Sequence, residues 1–142
     1  MHRGYLPYLA AVAQVTGSLA RTVTYNWNVT WVFANPDGFE RPVIGINGAW
    51  PCPTIEATVG DIVVVNLNNQ LGNETTGLHF HGINQVSSND MDGAVGTNQC
   101  PLPPDYSVKY RFYVSDTPCT IRGKEMKLTT DAKGRRTWHI LV

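Results

Sequence analysis

Along residues 22–33 the chain alternates. Val23, Tyr25, Trp27, Val29, Trp31 and Phe33 are apolar, and the residues between them, Thr22, Thr24, Asn26, Asn28 and Thr30 among them, are mostly polar. A two-residue period predicts a strand with one buried face, because successive side chains of a strand point to opposite sides. Asn35-Pro36-Asp37-Gly38 is a turn by composition. Residues 41–47 read as a second strand ended by Asn47-Gly48, and residues 54–58 as a third. After Gly60-Asp61 the run Ile62-Val63-Val64-Val65-Asn66-Leu67 predicts a central strand buried on both faces. Residues 78–83 and 108–114 supply two more strands. Many short strands separated by Gly, Pro and Asn predict an all-β fold, an antiparallel sandwich or barrel. Residues 84–105 are rich in turn formers, and a loop of that length usually covers or lines a site.

Composition narrows the picture. The 142 residues suit one ordinary domain, and 42% apolar residues exclude a disordered chain. No apolar run is long enough for a membrane-spanning helix. The net charge is zero, which argues against nucleic acid as a partner. That zero is a sum of unequal parts. Residues 1–114 hold 5 Lys+Arg against 8 Asp+Glu, whereas residues 115–142 hold 6 against 3. All eleven Asn precede residue 99. The sequence changes character near Val114.

Residues 1–20 have the layout of a signal peptide: a short basic start at His2 and Arg3, an apolar stretch over 6–15, and Ser18-Leu19-Ala20 as a cleavage site. A short buried helix is the alternative. The sequons Asn28-Val29-Thr30 and Asn73-Glu74-Thr75 make Asn28 and Asn73 glycosylation candidates and fit a secreted or cell-surface protein. The three cysteines, Cys52, Cys100 and Cys119, leave at least one thiol without an intrachain partner.

The chemistry is concentrated in Leu78-His79-Phe80-His81-Gly82. Residues two apart on a strand share a face, so His79 and His81 are expected to project together while Phe80 enters the opposite layer. Two neutral imidazoles suit a late first-row metal such as copper or zinc. Gly82 is expected to leave room beside the pair. An HxH pair is also a common surface feature, and metal sites of this kind take three or four protein ligands, so the pair alone completes nothing.

Six segments occur in order: Trp27-Asn28-Val29-Thr30-Trp31, Asn35-Pro36-Asp37-Gly38, Val43-Ile44-Gly45-Ile46-Asn47-Gly48-Ala49-Trp50-Pro51, the HxH element, Met91-Asp92-Gly93 and Gln99-Cys100-Pro101. Together they resemble the first cupredoxin (plastocyanin-like) domain of a fungal multicopper oxidase, of the ferroxidase and laccase-like branch, over residues 21–114. The resemblance implies a Greek-key β-sandwich and a copper cofactor. It implies that His79 binds the type 2 copper and His81 a type 3 copper of a trinuclear cluster, and that Asp92 supplies protons during oxygen reduction. Asp92 read by itself is a turn former before Gly93. The resemblance further implies that Cys100 pairs with a distant cysteine. It brings with it O2, ferrous iron or a phenolic reductant, and, on the ferroxidase branch, an iron permease as partner.

Residues 115–142 do not continue the pattern. The second HxH that the family places after the strand matching Tyr110-Arg111-Phe112-Tyr113-Val114 is missing. Thr137-Trp138-His139 is only a faint echo, and His139 reads more simply as a strand histidine. The chain holds two of the eight histidines that such a cluster takes, so it is expected to be catalytically incomplete by itself. A secreted, non-enzymatic β-sandwich binding module is the alternative, as is a truncated or alternative gene product. The tail segments 127–130 and 137–142 have the β-propensity to cap the sandwich; otherwise its edge stays open.

Overall fold

A computed structural model describes residues 20–116, 127–130 and 136–140, the last two stretches by backbone alone. Residues 1–19 of the expected signal peptide and Cys119 lie outside them. Strands β1 (Thr22–Ala34), β2 (Arg41–Ile46), β4 (Ile62–Asn69) and β5 (Ser107–Tyr113) form one sheet in the order β2-β1-β4-β5. Strands β3 (Ile55–Thr58), β6 (Lys127–Thr130) and β7 (Arg136–Ile140) form a second, ordered β3-β7-β6. Among the described residues the only helical element is a single 3-10 turn, Asn89–Met91. The all-β fold is as the alternation predicts.

The pairing is not wholly antiparallel. β2 folds back along one edge of β1, with Trp31 opposite Ile44. β3 then leaves for the second sheet, so β4 returns parallel to β1 on its other edge, with Thr22 opposite Ile62 and Val29 opposite Asn69. β5 closes antiparallel on β4. The compositionally distinct tail completes the second sheet: β7 lies antiparallel to β3, with Glu56 opposite His139, and β6 pairs with β7. An edge that the body alone would leave unpaired is thereby occupied.

The core lies between the sheets. Trp27, Val29 and Ile46 from β1 and β2, Val63, Val65 and Leu67 from β4, Tyr110 and Phe112 from β5, and Ile55 and Ala57 from β3 are all buried. Burial of this apolar area is the main stabilising term. Two expectations fail here. β4 is not buried on both faces: Val63, Val65, Leu67 and Asn69 are buried, but Ile62, Val64, Asn66 and Asn68 are only half-buried. Its outer face carries side-chain amides instead, Asn66 donating to Asn26 at 2.8 Å and Asn68 to Asn28 at 3.3 Å. β1 does not keep its apolar face covered either. Trp27 and Val29 are buried, whereas Trp31 is 43% and Phe33 75% exposed. The apolar alternation of β1 is longer than the layer available to cover it.

Two buried polar residues tie the strand ends together. The Asp61 carboxylate accepts from the Thr58 backbone N–H at 3.0 Å and from Arg21 Nε at 3.1 Å, fixing the β3–β4 turn to the start of β1. Asn69, fully buried, donates to the carbonyls of Glu74 and Leu102 and accepts from the Leu71 N–H. It staples the two loops that flank the histidines, as a buried amide must when all its groups are satisfied.

Candidate metal centre

Residues 78–83 do not form a strand. The segment runs irregularly and extended, joined to the sheet by side chains and not by a ladder. The expected alternation nevertheless holds. Leu78 and Phe80 are buried, and His79 and His81 point outward. Phe80 is the anchor: its ring lies 5.3 Å from that of Tyr110 and 4.7 Å from that of Phe112. With both neighbours sunk in the core, the two imidazoles are forced to the same side, their centroids 5.6 Å apart and their planes nearly perpendicular.

Hydrogen bonds replace the missing ladder. The Phe80 N–H donates to the Asp92 carbonyl at 3.2 Å. The Leu78 N–H reaches the Tyr110 hydroxyl at 3.4 Å, and that hydroxyl donates to Gln99 Oε1 at 2.9 Å. Gly93 explains the Met91-Asp92-Gly93 motif: its φ of +75° disfavours a side chain, and a Cβ there would overlap the Leu78 carbonyl. Gly82 likewise adopts a φ of +81°, which lets the backbone turn after His81.

His79 Nδ1 lies 3.0 Å from the Asp92 main-chain oxygen and 3.4 Å from its carboxylate Oδ2. A carbonyl oxygen only accepts, so Nδ1 is the donor in this contact, and Nε2 is the ring nitrogen left free of it. A second partner that fixes tautomer and ring orientation is the usual companion of a metal-binding imidazole. His81 has no such tie among the described residues. The loop before Asp92 is self-bonded: Ser88 Oγ donates to Gln85 Oε1 at 2.8 Å, and Gln85 Nε2 to the Met91 carbonyl at 3.4 Å. An open cavity of about 190 Å³ lies there, lined by Ile83, Gln85, Asn89, Asp92 and Asn98.

The donor chemistry fits copper as far as it goes: two imidazoles on one side, one with its free nitrogen selected. Among the described residues no three His, Cys, Asp or Glu side chains gather where they could hold a metal. The candidate donors brought together here are the two imidazoles of His79 and His81. Cys52 and Cys100 are free thiols. Burial pushes the Cys52 thiol up from its ordinary value, a backbone hydrogen bond opposing the shift, which makes it a poor nucleophile. Cys100 is exposed, and no partner for it lies among the described residues. The side chain of His139 lies outside them. Neither Tyr110 nor Asn69 carries a role in the sequence reading, and Gly93 enters it only as part of its motif. A Tyr on the inward face of an alternating strand was the available signal, since a buried phenol finds a hydrogen-bond partner.

Comparison with known proteins identifies this arrangement. The family model for multicopper oxidases matches residues 28–122. The iron transport multicopper oxidase fetC of Epichloe festucae is 58% identical over 118 residues, covering 81% of this chain and 19% of that protein. Laccase-1 of Cryptococcus neoformans var. neoformans is 45% identical over 94 residues, 66% of this chain and 15% of that one. The crystal structure of Fet3p, a multicopper oxidase that functions in iron import, superposes with a TM-score of 0.63 at 41% identity, covering 67% of this chain and 18% of that one. The chain thus spans about a fifth of the length of its iron-transport relatives. With the fold, the paired imidazoles and the family match in agreement, the chain belongs to the multicopper oxidase family and comprises part of a cupredoxin-like domain of the fungal type.

Proposed function

We propose that this chain contributes His79 and His81 to a copper centre whose other ligands come from outside the described residues, His79 serving the type 2 and His81 a type 3 position. The observation that carries the reading is the Asp92 carbonyl on His79 Nδ1, which leaves Nε2 as the coordinating atom. Copper, when bound, supplies one-electron oxidation of ferrous iron or a phenol and the reduction of O2 to water. The protein's own part is orientation and proton handling. Phe80 and Leu78 hold the histidine backbone against the core, and Asp92 fixes one ring. To the Asp92 carboxylate, 3.4 Å from Nδ1 and bordering the cavity, we assign the proton supply that the family resemblance implies. Relatives named for iron transport lead us to prefer ferrous iron over phenols, with an iron permease as the matching partner.

The protein is secreted or held at the cell surface, with residues 1–20 as signal peptide and glycans at Asn28 and Asn73. We read the chain by itself as catalytically incomplete, because two imidazoles are fewer than the three or four protein ligands that such a metal takes. Copper titration of the purified chain, read by electron paramagnetic resonance, tests this. A stoichiometric signal with nitrogen hyperfine structure, abolished by His79→Ala and by His81→Ala, is expected. Binding no tighter than that of an unrelated protein with two exposed histidines would leave the non-enzymatic sandwich module as the better reading.

A further inference from the structure

The uncovered end of β1 is not featureless. Trp31 and its cross-strand partner Ile44 are 43% and 42% exposed, and Phe33 lies beyond them on the same side, extending the core face of Trp27 and Val29 into solvent. A shelf of this kind calls for a cover. The Trp31 indole N–H donates to the side-chain oxygen of Asn73 at 3.2 Å, and Asn73 opens the sequon Asn73-Glu74-Thr75, whose three residues are all exposed. The loop presenting it is tied to the sheet by Asn69, which donates to the Glu74 carbonyl and accepts from the Leu71 N–H. Asn73 Nδ2 makes no hydrogen bond among the described residues, so the acceptor nitrogen is left for chemistry while Oδ1 is in use.

We propose that Asn73 carries an N-linked glycan whose first N-acetylglucosamine packs on Trp31 and Ile44 and covers the shelf. The inference rests on the secretory reading above. In the transfer, Asn73 Nδ2 forms a bond to C1 of the sugar while the C1–O bond to a polyprenyl diphosphate carrier breaks. The diphosphate leaves with the electron pair, one Nδ2 proton is lost, and nothing is oxidised or reduced. Oδ1 is untouched, so the bond from Trp31 survives. The substituted amide is planar, with C1 trans to Cβ and therefore on the same side as Oδ1. That side is where the indole lies. The apolar C–H face of the pyranose is thus delivered to an aromatic ring whose polar edge is already satisfied. Asn28 offers no equivalent: its Oδ1 accepts from Asn68, which in turn accepts from Ser107, on the polar outer face of the sheet.

The test is to secrete the full chain from a glycosylating host behind a heterologous signal sequence, with the native residues 1–20 tried in a separate arm. Failure of the native leader alone would count against the secretory reading and leave the sugar contact open to measurement. Enzymatic release in heavy-oxygen water followed by peptide mass spectrometry should show Asn73 occupied. With glycans trimmed to one sugar, nuclear Overhauser contacts between that sugar and the Trp31 indole are expected. Acrylamide quenching of the Trp31 component, taken as the difference from Trp31→Phe, should rise roughly twofold in Thr75→Ala, which removes the sequon but keeps Asn73. Asn28→Gln should leave it unchanged. An unoccupied Asn73 in secreted protein, or an occupied one with Trp31 as exposed as in Thr75→Ala, would overturn the proposal and leave the shelf to another partner.

Discussion

The four-stranded sheet and the loop that carries the histidines are built in different ways. In the sheet, position follows from a two-residue period repeated along β1, β4 and β5, so each residue is supported by many equivalent neighbours. In residues 78–93 nothing repeats. His79 is where it is because Phe80 fills a hole between Tyr110 and Phe112, because Gly93 admits the Leu78 carbonyl, and because one carbonyl, that of Asp92, accepts from both the Phe80 backbone and the His79 ring. A sheet tolerates small errors by sharing them. A loop held at single points does not, and in exchange it can place two imidazoles where no ladder constrains them.

Substitutions at matched positions sharpen the contrast. Truncating either buried ring, Phe80→Ala or Phe112→Ala, should cost about 3–5 kcal/mol in urea unfolding, as for other fully buried aromatics. Only Phe80→Ala should also weaken copper binding in conditions where both variants remain folded. Gly93→Ala meets both a left-handed backbone and the Leu78 carbonyl, and should cost about 2–4 kcal/mol with loss of the His79 contact. Tyr110→Phe removes only the hydroxyl between Leu78 and Gln99, for about 1 kcal/mol, with a larger relative effect on copper affinity than on stability.

The smallest effect separates two thiols. Iodoacetamide should modify exposed Cys100 faster than half-buried Cys52. Burial raises the Cys52 pKa, so less of it is thiolate at a given pH below that value, and raising the pH should narrow the gap. Equal rates at every pH would contradict the burial described for Cys52.

Where the fold is periodic it was legible in the sequence. β1, β2, β3, β4 and β5 lie within two residues of their expected limits, since alternation is a property of neighbours along the chain. The same signal overreached at Trp31 and Phe33, because local pattern says which face is apolar and not how far the opposing layer extends. The run at β4 misled for a related reason: Val64 and Asn66 look buried by company, yet their outer face is covered by amides. Parallel pairing of β1 with β4 depends on the path of β3, which no local pattern encodes. At the site, the outward direction of His79 and His81 was legible, whereas the contact from Asp92 joins residues 13 apart in sequence and was placed near them only by family resemblance. Asn69 is one of eleven asparagines, and nothing local marks it as the one whose amide is buried on three partners outside its own strand.

In the proposed copper centre a backbone carbonyl, and not strand geometry, selects which nitrogen of His79 faces the metal. Long-range proton–nitrogen correlation spectra of the metal-free chain test it directly, at a pH where both rings are neutral. His79 should be protonated at Nδ1 with Nε2 bare, and should lose that single tautomer in Gly93→Ala. A His79 protonated at Nε2, or one exchanging between tautomers as an untethered histidine does, would contradict it.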